Sequence, residues 1–247
     1  LDIGLHFIPI ESEFFRMRYH PDPANPNFWF YDGLRIQADV ETHHFAVAYA
    51  KTHFHDHSKV LDIAAGEGAL TKQLLDIGLQ VSCTSWNERS NVAVPTYRLN
   101  LDNPFSVQDV GGHQYSLVCC IEAIEHIENP SCLLRSCRSI MAPGSRLLLS
   151  TPNVESAVAR IQWLIHGCPS IFQVEEVRQN RHISMQWRQG LEFLIERSGF
   201  TILEKHLLGC FRFPRTALSL VKVVVKKKKK KVLKGDLYGT TRLYVLG

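Results

Sequence analysis

The chain has 247 residues, of which 45% are apolar and 21% charged, a composition typical of a globular protein with one large domain or one domain plus a small appendage. Its net charge of +4 is uneven, because eight of the 28 basic residues are lysines between positions 222 and 234, and the remainder carries 20 basic against 24 acidic residues. The overall charge is therefore no argument for a nucleic-acid-binding protein.

The seven cysteines are odd in number and form no Cys-x-x-Cys pair, and several lie in apolar strand or helix patterns. They predict reduced core residues in a reducing compartment. No N-terminal secretion signal is visible, and no apolar run reaches the roughly 18 residues that a membrane span needs. Together these features predict a cytoplasmic protein.

The N-terminal residues 1–31 have no regular pattern. Three prolines between positions 21 and 26 interrupt any helix, and an aromatic cluster follows from Phe28 to Tyr31. We expect an N-terminal extension packed on the outside of the core, with a lid over the substrate site as the alternative. From about Asp32 to His53 the pattern becomes helical and leads into the first strand.

A strand, a tight turn and a helix follow one another in residues 59–72. The apolar run from Val60 to Ile63 carries Asp62, small residues occupy four of the next five positions, and helical periodicity begins at Ala69. This is the opening unit of a doubly wound α/β sheet, in which small residues let the backbone approach a ligand. Such a turn alone does not distinguish NAD-binding folds from methyltransferases.

Strands and helices alternate along the rest of the chain. Further strands are predicted at 79–86, 96–101, 115–121, 146–150, 200–207 and 237–246, and helices at 131–141 and 186–198. This order predicts an α/β, Rossmann-like fold with a parallel sheet and helices on both faces. Residues 153–185 are interpreted as a cap insertion, and residues 211–234 as an apolar and lysine-rich insertion.

Four segments, taken in order, resemble the class I S-adenosylmethionine-dependent methyltransferases. They are Val-Leu-Asp-Ile-Ala-Ala-Gly-Glu-Gly at 60–68, residues 117–130 with Glu-Ala-Ile-Glu-His, residues 141–153 ending in Thr-Pro-Asn, and His-Ile-Ser at 182–184 followed by a helix and Gly-Phe at 199–200. The set is most similar to the branch that holds ubiquinone-pathway O-methyltransferases and bacterial glycan methyltransferases. The resemblance implies that residues 32–247 are one methyltransferase domain with a seven-stranded, mostly parallel sheet whose last strand is antiparallel.

The resemblance also implies S-adenosylmethionine as the cofactor, with its methionine part in the glycine-rich turn. The implied cofactor-binding residues are Asp62, Ala64, Gly66, Gly68, Ser85, Trp86, Asn100, Leu101 and Ile121. Three of them depart from the family: Ala64 replaces the most common first glycine, Ser85 the ribose-binding acid, and Asn100 the aspartate near the adenine. An acid at either of the last two positions would form a charge-assisted hydrogen bond with the cofactor. Ser85 and Asn100 can form only uncharged hydrogen bonds there, which are roughly half as strong. A cofactor-binding relative without catalysis is therefore one alternative.

A second group of residues combines Glu122, Glu125 and His126, which helical spacings of three and four place on one face. The group borders the ligand crevice of this fold, and His182 in a later loop is the natural fourth ligand. In ubiquinone-pathway O-methyltransferases and small-RNA terminal 2′-O-methyltransferases, a similar set looks like a metal site. We predict that these four residues bind a divalent metal, and Mg²⁺, Mn²⁺, Zn²⁺ and Fe²⁺ stay open.

Glu125 and His126 are accordingly the predicted catalytic residues, at a metal that lowers the pKa of an acceptor hydroxyl and orients its oxygen. Two alternatives stay open: His126 as a metal-free general base, and carboxylates that only favour a helix start through its dipole. The predicted function is an O-methyltransferase for a small-molecule, sugar or lipid-linked hydroxyl. The alternative is an RNA 2′-O-methyltransferase.

Other residues allow two interpretations. Lys226–Lys231 form either a solvated tail or a contact with an anionic membrane surface, at about 1 kcal/mol per lysine, which leaves a membrane-peripheral location open. Nucleic acid is not expected there, because no aromatic residues are interleaved with the lysines.

Arg35 is interpreted as a surface residue, with a cofactor contact as the alternative, and Asn153 as either a substrate-facing group or a turn residue. Five histidines are interpreted as mostly exposed: His43, His44, His53, His55 and His57.

Overall fold

The computed structural model describes residues 18–25, 28–86, 91–209 and 236–247. Its first elements are a small antiparallel sheet of order β1-β2-β3 and a helix: β1 (Tyr19–Pro21), β2 (Trp29–Tyr31), β3 (Leu34–Ile36) and α1 (Val40–His53). The prediction of an irregular segment and a helix from Asp32 is wrong, because Asp32 and Gly33 have left-handed φ angles of 52° and 79° and turn the chain into β3. Helix α1 begins after Asp39, whose side chain accepts a hydrogen bond from the Glu41 N–H.

The main sheet has seven strands in the order β6-β5-β4-β7-β8-β10-β9. Its elements are β4 (Lys59–Ile63), α2 (Ala69–Asp76), β5 (Gln80–Ser85), β6 (Thr96–Arg98), β7 (Tyr115–Cys120), α3 (Pro130–Ser139), β8 (Met141–Pro152), α4 (Ala157–His166), α5 (Val174–Asn180), α6 (Arg188–Arg197), β9 (Ile202–Leu208) and β10 (Thr241–Leu246). Strand β10 runs antiparallel to both of its neighbours. The predicted Rossmann-like sheet with an antiparallel last strand is confirmed.

Strand β7 explains why its sequence is an almost unbroken apolar run. Its side chains alternate between the two faces of the sheet: Val118 and Cys120 belong to one buried cluster, and Leu117 and Cys119 to the other. Helices α3 and α6 cover the first face, and helices α1 and α2 cover the second. Because both faces are buried, the strand has no solvent side that would call for polar residues.

The small N-terminal sheet is attached to helix α2 through Asp76. The Asp76 carboxylate accepts hydrogen bonds from Arg18 at 2.6 Å and from the Tyr31 hydroxyl at 2.7 Å, and it also binds Lys72. Two cations and a hydroxyl thus compensate one largely buried carboxylate. The described part of the predicted extension packs on α2, and its Phe28 reaches the cleft described below.

The cap between β8 and α6 consists of α4, a 3₁₀ turn (Ser170–Phe172) and α5. Helix α4 is fixed at its start, where the buried Ser156 hydroxyl accepts a hydrogen bond from the Ala159 N–H at 3.1 Å. From Ile161 onward the helix exposes four apolar side chains: Ile161, Trp163, Leu164 and Ile165. The cap therefore joins the core at one end and presents an apolar surface at the other.

The described cysteines are all free thiols, as predicted; five are buried and Cys168 is half-buried. No helix in the described ranges is both long and apolar enough to cross a bilayer. Three predictions concern residues outside those ranges: the seventh cysteine Cys210, the insertion at 211–234, and the membrane contact through Lys226–Lys231.

Candidate functional site

An open cleft of about 1000 Å³ lies at the carboxyl ends of β4, β5, β7 and β8. Ten of the residues predicted for the cofactor and metal sites line it: Asp62, Ala64, Ser85, Trp86, Asn100, Leu101, Ile121, Glu122, His126 and His182. Gly66, Gly68 and Glu125 do not line it. The fold thus brings residues that are 120 positions apart in the chain into one ligand-sized space.

The turn after β4 keeps the shape of a glycine-rich loop although Ala64 replaces a glycine. The φ angle of Ala64 is 57°, in the left-handed region, as are those of Gly66 and Gly68. The Ala64 N–H donates to the Thr84 hydroxyl at 3.0 Å, which ties the turn to β5. A side chain at Gly66 would collide with the Gln37 side chain. The backbone at Gly66 therefore lies so close to the Gln37 side chain that only glycine fits there without moving it.

Asp62 is a buried carboxyl at the floor of the cleft. It is 2% exposed, and the Thr71 hydroxyl of α2 donates to its Oδ2 atom at 2.6 Å. Burial raises the pKa of Asp62 to about 7, and the hydrogen bond from Thr71 acts in the opposite direction. Asp62 therefore holds the start of α2 against β4 and changes its charge near neutral pH.

The other end of the cleft is lined by the residues after β5 and β6. Ser85 is half-buried, whereas Trp86 is 62% exposed. The Asn100 side-chain oxygen accepts a hydrogen bond from the Asp102 N–H at 3.1 Å. The two positions that depart from the family, Ser85 and Asn100, thus lie in the same cleft as the glycine-rich turn.

Glu122 follows β7 in a strained conformation that Ser150 stabilises. Its φ angle is 47°, which is uncommon for a residue with a side chain. The Ser150 hydroxyl accepts a hydrogen bond from the Glu122 N–H at 3.0 Å and donates one to its carboxylate at 2.8 Å. Burial raises the pKa of Glu122 to about 7. The side chain is therefore held towards strand β8.

Glu125, His126 and His182 form a cluster in which one ligand atom of each lies within 4.8 Å of the others. The first two belong to a single 3₁₀ turn (Ile124–His126), and His182 comes from the loop after α5. The Glu125 carbonyl accepts hydrogen bonds from the N–H groups of Ile183 and Ser184, at 3.1 and 2.9 Å, so the two segments are joined directly. One carboxylate and two imidazoles are a donor set that fits a divalent transition metal.

Glu122 lies outside this cluster, although the sequence predicted it as a fourth ligand. The prediction that Glu122, Glu125 and His126 share one helical face is wrong, because the helical turn starts at Ile124 and the left-handed backbone of Glu122 precedes it. Its contact with Ser150 turns the carboxylate to a different partner. The structure supports three of the four predicted positions as one group.

The charges of this cluster are set mainly by burial. Glu125 is 1% exposed; burial, and then the nearby Glu122, raise its pKa well above the ordinary value, and the Thr151 hydroxyl donates to it at 3.2 Å. Burial, and then His182, lower the pKa of His126. A neutral imidazole presents a lone pair, so the lowered pKa of His126 favours the form that binds a metal or accepts a proton.

Asn153 belongs to a polar network that the sequence did not reveal. Its amide nitrogen donates to the backbone carbonyls of Asp236, Tyr238 and Gly239 at 2.9 to 3.2 Å. Its oxygen accepts from Arg242, which is 1% exposed and also binds Asp236 and Glu155. Asn153 thus fixes the start of β10. No sequence pattern indicated that Arg242 in β10 would be buried, because two of its partners, Asn153 and Glu155, are 89 and 87 positions away in the chain.

The structure also shows where Arg35 and the five histidines between positions 43 and 57 lie. Arg35 lines the cleft, and its guanidinium lies 4.1 Å from the centre of the Phe28 ring. The prediction of mostly exposed histidines holds for three of the five and is wrong for His43, which is buried and lines the cleft, and His44, which is half-buried. The dense histidine pattern in the sequence gave no indication of which side chains point inward.

Comparison with known proteins gives a family and its relatives. The family model described as a methyltransferase domain matches residues 34–205. The ubiquinone biosynthesis O-methyltransferase of Xanthomonas euvesicatoria is 31% identical over 110 residues, which are 39% of this chain and 44% of that protein. The enzyme of the same name from Serratia proteamaculans is 24% identical over 165 residues, 64% of this chain and 67% of that protein. The chain thus spans about half the length of the first curated relatives it matches.

Solved structures share the fold. A putative methyltransferase from Bacillus halodurans has a TM-score of 0.55 and 16% identity, with coverage of 81% of this chain and 97% of that chain. Magnesium protoporphyrin IX methyltransferase from Synechocystis, solved with bound S-adenosylhomocysteine, has a TM-score of 0.56 and 15% identity, with coverage of 83% and 81%. At such identities the likeness concerns the fold alone.

Proposed function

Since this chain belongs to the class I S-adenosylmethionine-dependent methyltransferases, we propose that it is an O-methyltransferase in which Glu125, His126 and His182 hold a divalent metal ion beside the acceptor hydroxyl. The observation that carries the proposal is the cluster of three ligand atoms within 4.8 Å of one another. His126 and His182 also line the cleft that contains the glycine-rich turn. The acceptor and the methyl donor would therefore share one space.

The donor set supports a metal more than a structural role for these side chains. A buried carboxylate beside two half-buried imidazoles is costly unless it has a charge partner. In the described structure, Glu125 has the Thr151 hydroxyl as its side-chain partner, a weak compensation for a carboxylate. A divalent cation bound there would supply the positive charge that lowers the pKa of an acceptor hydroxyl.

The chain's own residues would align the two reactants. The turn at 64–68 and the residues after β5 and β6 would hold the cofactor, which supplies an activated methyl group when bound. His126 and His182 lie on the side of the cleft formed by β7 and the cap, and so would face the acceptor oxygen. Much of the rate acceleration in such a transfer comes from alignment. His126, neutral at neutral pH, could also take the hydroxyl proton.

A small-molecule, sugar or lipid-linked acceptor fits the cleft better than RNA does. The described residues that line it carry five carboxyl groups, two arginines and no lysine. A polyanionic acceptor would need basic side chains for its phosphates. The acidic lining therefore favours a neutral hydroxyl compound, and the contact of Lys226–Lys231 with an anionic membrane is proposed only as a way to reach a lipid-linked acceptor.

Elemental analysis combined with chelation tests the proposal. The purified protein should contain about one divalent metal per chain, and removal of the metal by a chelator should abolish methylation of the acceptor, with recovery on adding metal back. Full activity in metal-free protein would reject the metal, and loss of that activity in His126→Ala would then identify His126 as a general base. Anionic liposomes, with neutral liposomes as the control, test the membrane contact by co-sedimentation.

A further inference from the structure

Three polar side chains form a chain of hydrogen bonds from the N-terminal sheet to the wall of the cleft. The Tyr19 hydroxyl donates to the Gln73 side-chain oxygen at 2.5 Å, and the Gln73 amide nitrogen lies 3.0 Å from His43 Nδ1. Gln73 is fully buried and His43 is 5% exposed. His43 nevertheless lines the cleft together with Asp62 and Ala64. A buried imidazole is thus held on one edge and borders the ligand space.

These hydrogen bonds decide which nitrogen of His43 carries the proton. Because the Gln73 oxygen accepts from Tyr19, the Gln73 amide nitrogen faces His43 and donates to Nδ1. Burial, and then the neighbouring His44, lower the pKa of His43 to about 3, so the ring is neutral. Its proton therefore sits on Nε2. Within the described part of the chain, His43 makes no hydrogen bond besides the one with Gln73, so Nε2 is a donor without a partner.

The surroundings of His43 indicate which group of the cofactor it would meet. Gln73, which holds it, lies on α2, the helix that begins directly after the glycine-rich turn. Gln37, which precedes α1, lines the same cleft and fills the space next to Gly66 of the glycine-rich turn. His43 lines the same cleft as Ala69 and Leu70, the first two residues of α2, and the dipole at that end of a helix favours an anion. The carboxylate is the one anionic group of S-adenosylmethionine.

We propose that His43 Nε2 donates a hydrogen bond to the carboxylate of the methionine part of S-adenosylmethionine, and that Tyr19 and Gln73 are positioning residues that fix its tautomer. The N-terminal sheet then contributes to cofactor affinity through Tyr19. This inference rests on the methyltransferase family, and it is independent of the metal and of the acceptor. The binding test described next therefore applies even if the protein does not methylate hydroxyl groups.

Binding of two ligands to the purified full chain tests the proposal by calorimetry. S-adenosylhomocysteine carries the carboxylate, whereas 5′-methylthioadenosine has the same nucleoside without the amino-acid part. A hydrogen bond to a charged group corresponds to a factor of about ten or more in affinity. His43→Leu should therefore weaken S-adenosylhomocysteine binding about tenfold or more and leave 5′-methylthioadenosine binding within about twofold of wild type.

Three further variants separate this role from a structural one. His43→Gln keeps a side-chain N–H and should restore part of the lost affinity. Gln73→Leu should weaken S-adenosylhomocysteine alone, because Nδ1 then loses its donor. The control is His44→Leu, since His44 is the next residue of α1 and does not line the cleft; both ligands should bind it as they bind wild type. An equal loss of both ligands in His43→Leu, or a loss of neither, would overturn the proposal.

Discussion

His182 Nδ1 lies 2.7 Å from the backbone carbonyl oxygen of Ile171. A carbonyl oxygen only accepts, so Nδ1 carries a proton and Nε2 is the ring nitrogen that remains for a metal. Metal-binding histidines are oriented by this kind of hydrogen bond from the second ring nitrogen. The hydrogen bond to Ile171, a residue of the cap, therefore orients the His182 ring as a metal ligand.

Replacing His182 tests that arrangement. His182→Ala removes one of three ligand groups, and we expect its affinity for a divalent metal to fall at least about tenfold. The measurement is a competition titration with a metal-binding dye. His166→Ala is the matched control, since His166 is exposed at the end of α4 in the same cap; it should bind metal as wild type does. Equal metal affinity in the two variants would contradict the predicted site.

Replacing Ser150 tests the support of Glu122. Ser150→Ala leaves the N–H and the carboxylate of Glu122 without this partner, and we expect the free energy of unfolding to fall by about 1–3 kcal/mol. Urea denaturation measures the change. The control is Ser145→Ala, because the Ser145 hydroxyl is buried without a hydrogen-bond partner among the described residues. Its removal should be neutral or stabilising, and a similar loss in both variants would show that the Glu122 contact is not the cause.

Replacing Ala64 tests the strain in the glycine-rich turn. A residue with a side chain in the left-handed region costs the folded state about 1–2 kcal/mol. Glycine removes this strain, but part of the gain is lost because glycine raises the conformational entropy of the unfolded chain. We therefore expect Ala64→Gly to raise the free energy of unfolding by about 0.5–1 kcal/mol. Ala65→Gly, at a neighbouring residue without a positive φ angle, should lower it by a similar amount. Thermal or urea unfolding that gave both variants the same sign would refute the strain.

The pKa of Asp62 predicts a pH dependence of stability. Since burial raises that pKa from 3.8 to about 7, the folded protein keeps a proton that the unfolded chain releases, and stability falls as the pH rises through this window. Asp62→Asn stays neutral, so it should be more stable than wild type at about pH 8, with an advantage that shrinks towards about pH 5 by up to about 1.4 kcal/mol per unit. Exposed Asp56→Asn is the control in urea denaturation. Parallel curves for wild type and Asp62→Asn would exclude the shift.

The sequence was sufficient for most strands and helices of the main sheet, because periodicity is a local property, whereas the antiparallel last strand was implied by the family resemblance. The apolar run at β7 and the helical spacing after Ala69 each predict an element without reference to any distant residue. It failed for β1 to β3, since those strands have three residues each and are formed by turns at positions such as Asp32 and Gly33. Short strands carry too few residues to show a period.

The sequence by itself determined the chemistry at hand: a strand, a small-residue turn and a helix for a cofactor, and a Glu-x-x-Glu-His group with a later histidine for an acceptor. Only the tertiary structure decided which of these groups meet. In the structure, His182 lies beside Glu125 and His126. Glu122 lies outside this cluster, because its backbone is left-handed and its carboxylate accepts a hydrogen bond from Ser150. His43 lines the cleft. The physical reason is that side-chain direction and burial depend on contacts between distant segments, whereas spacing along the chain records only which residues are present.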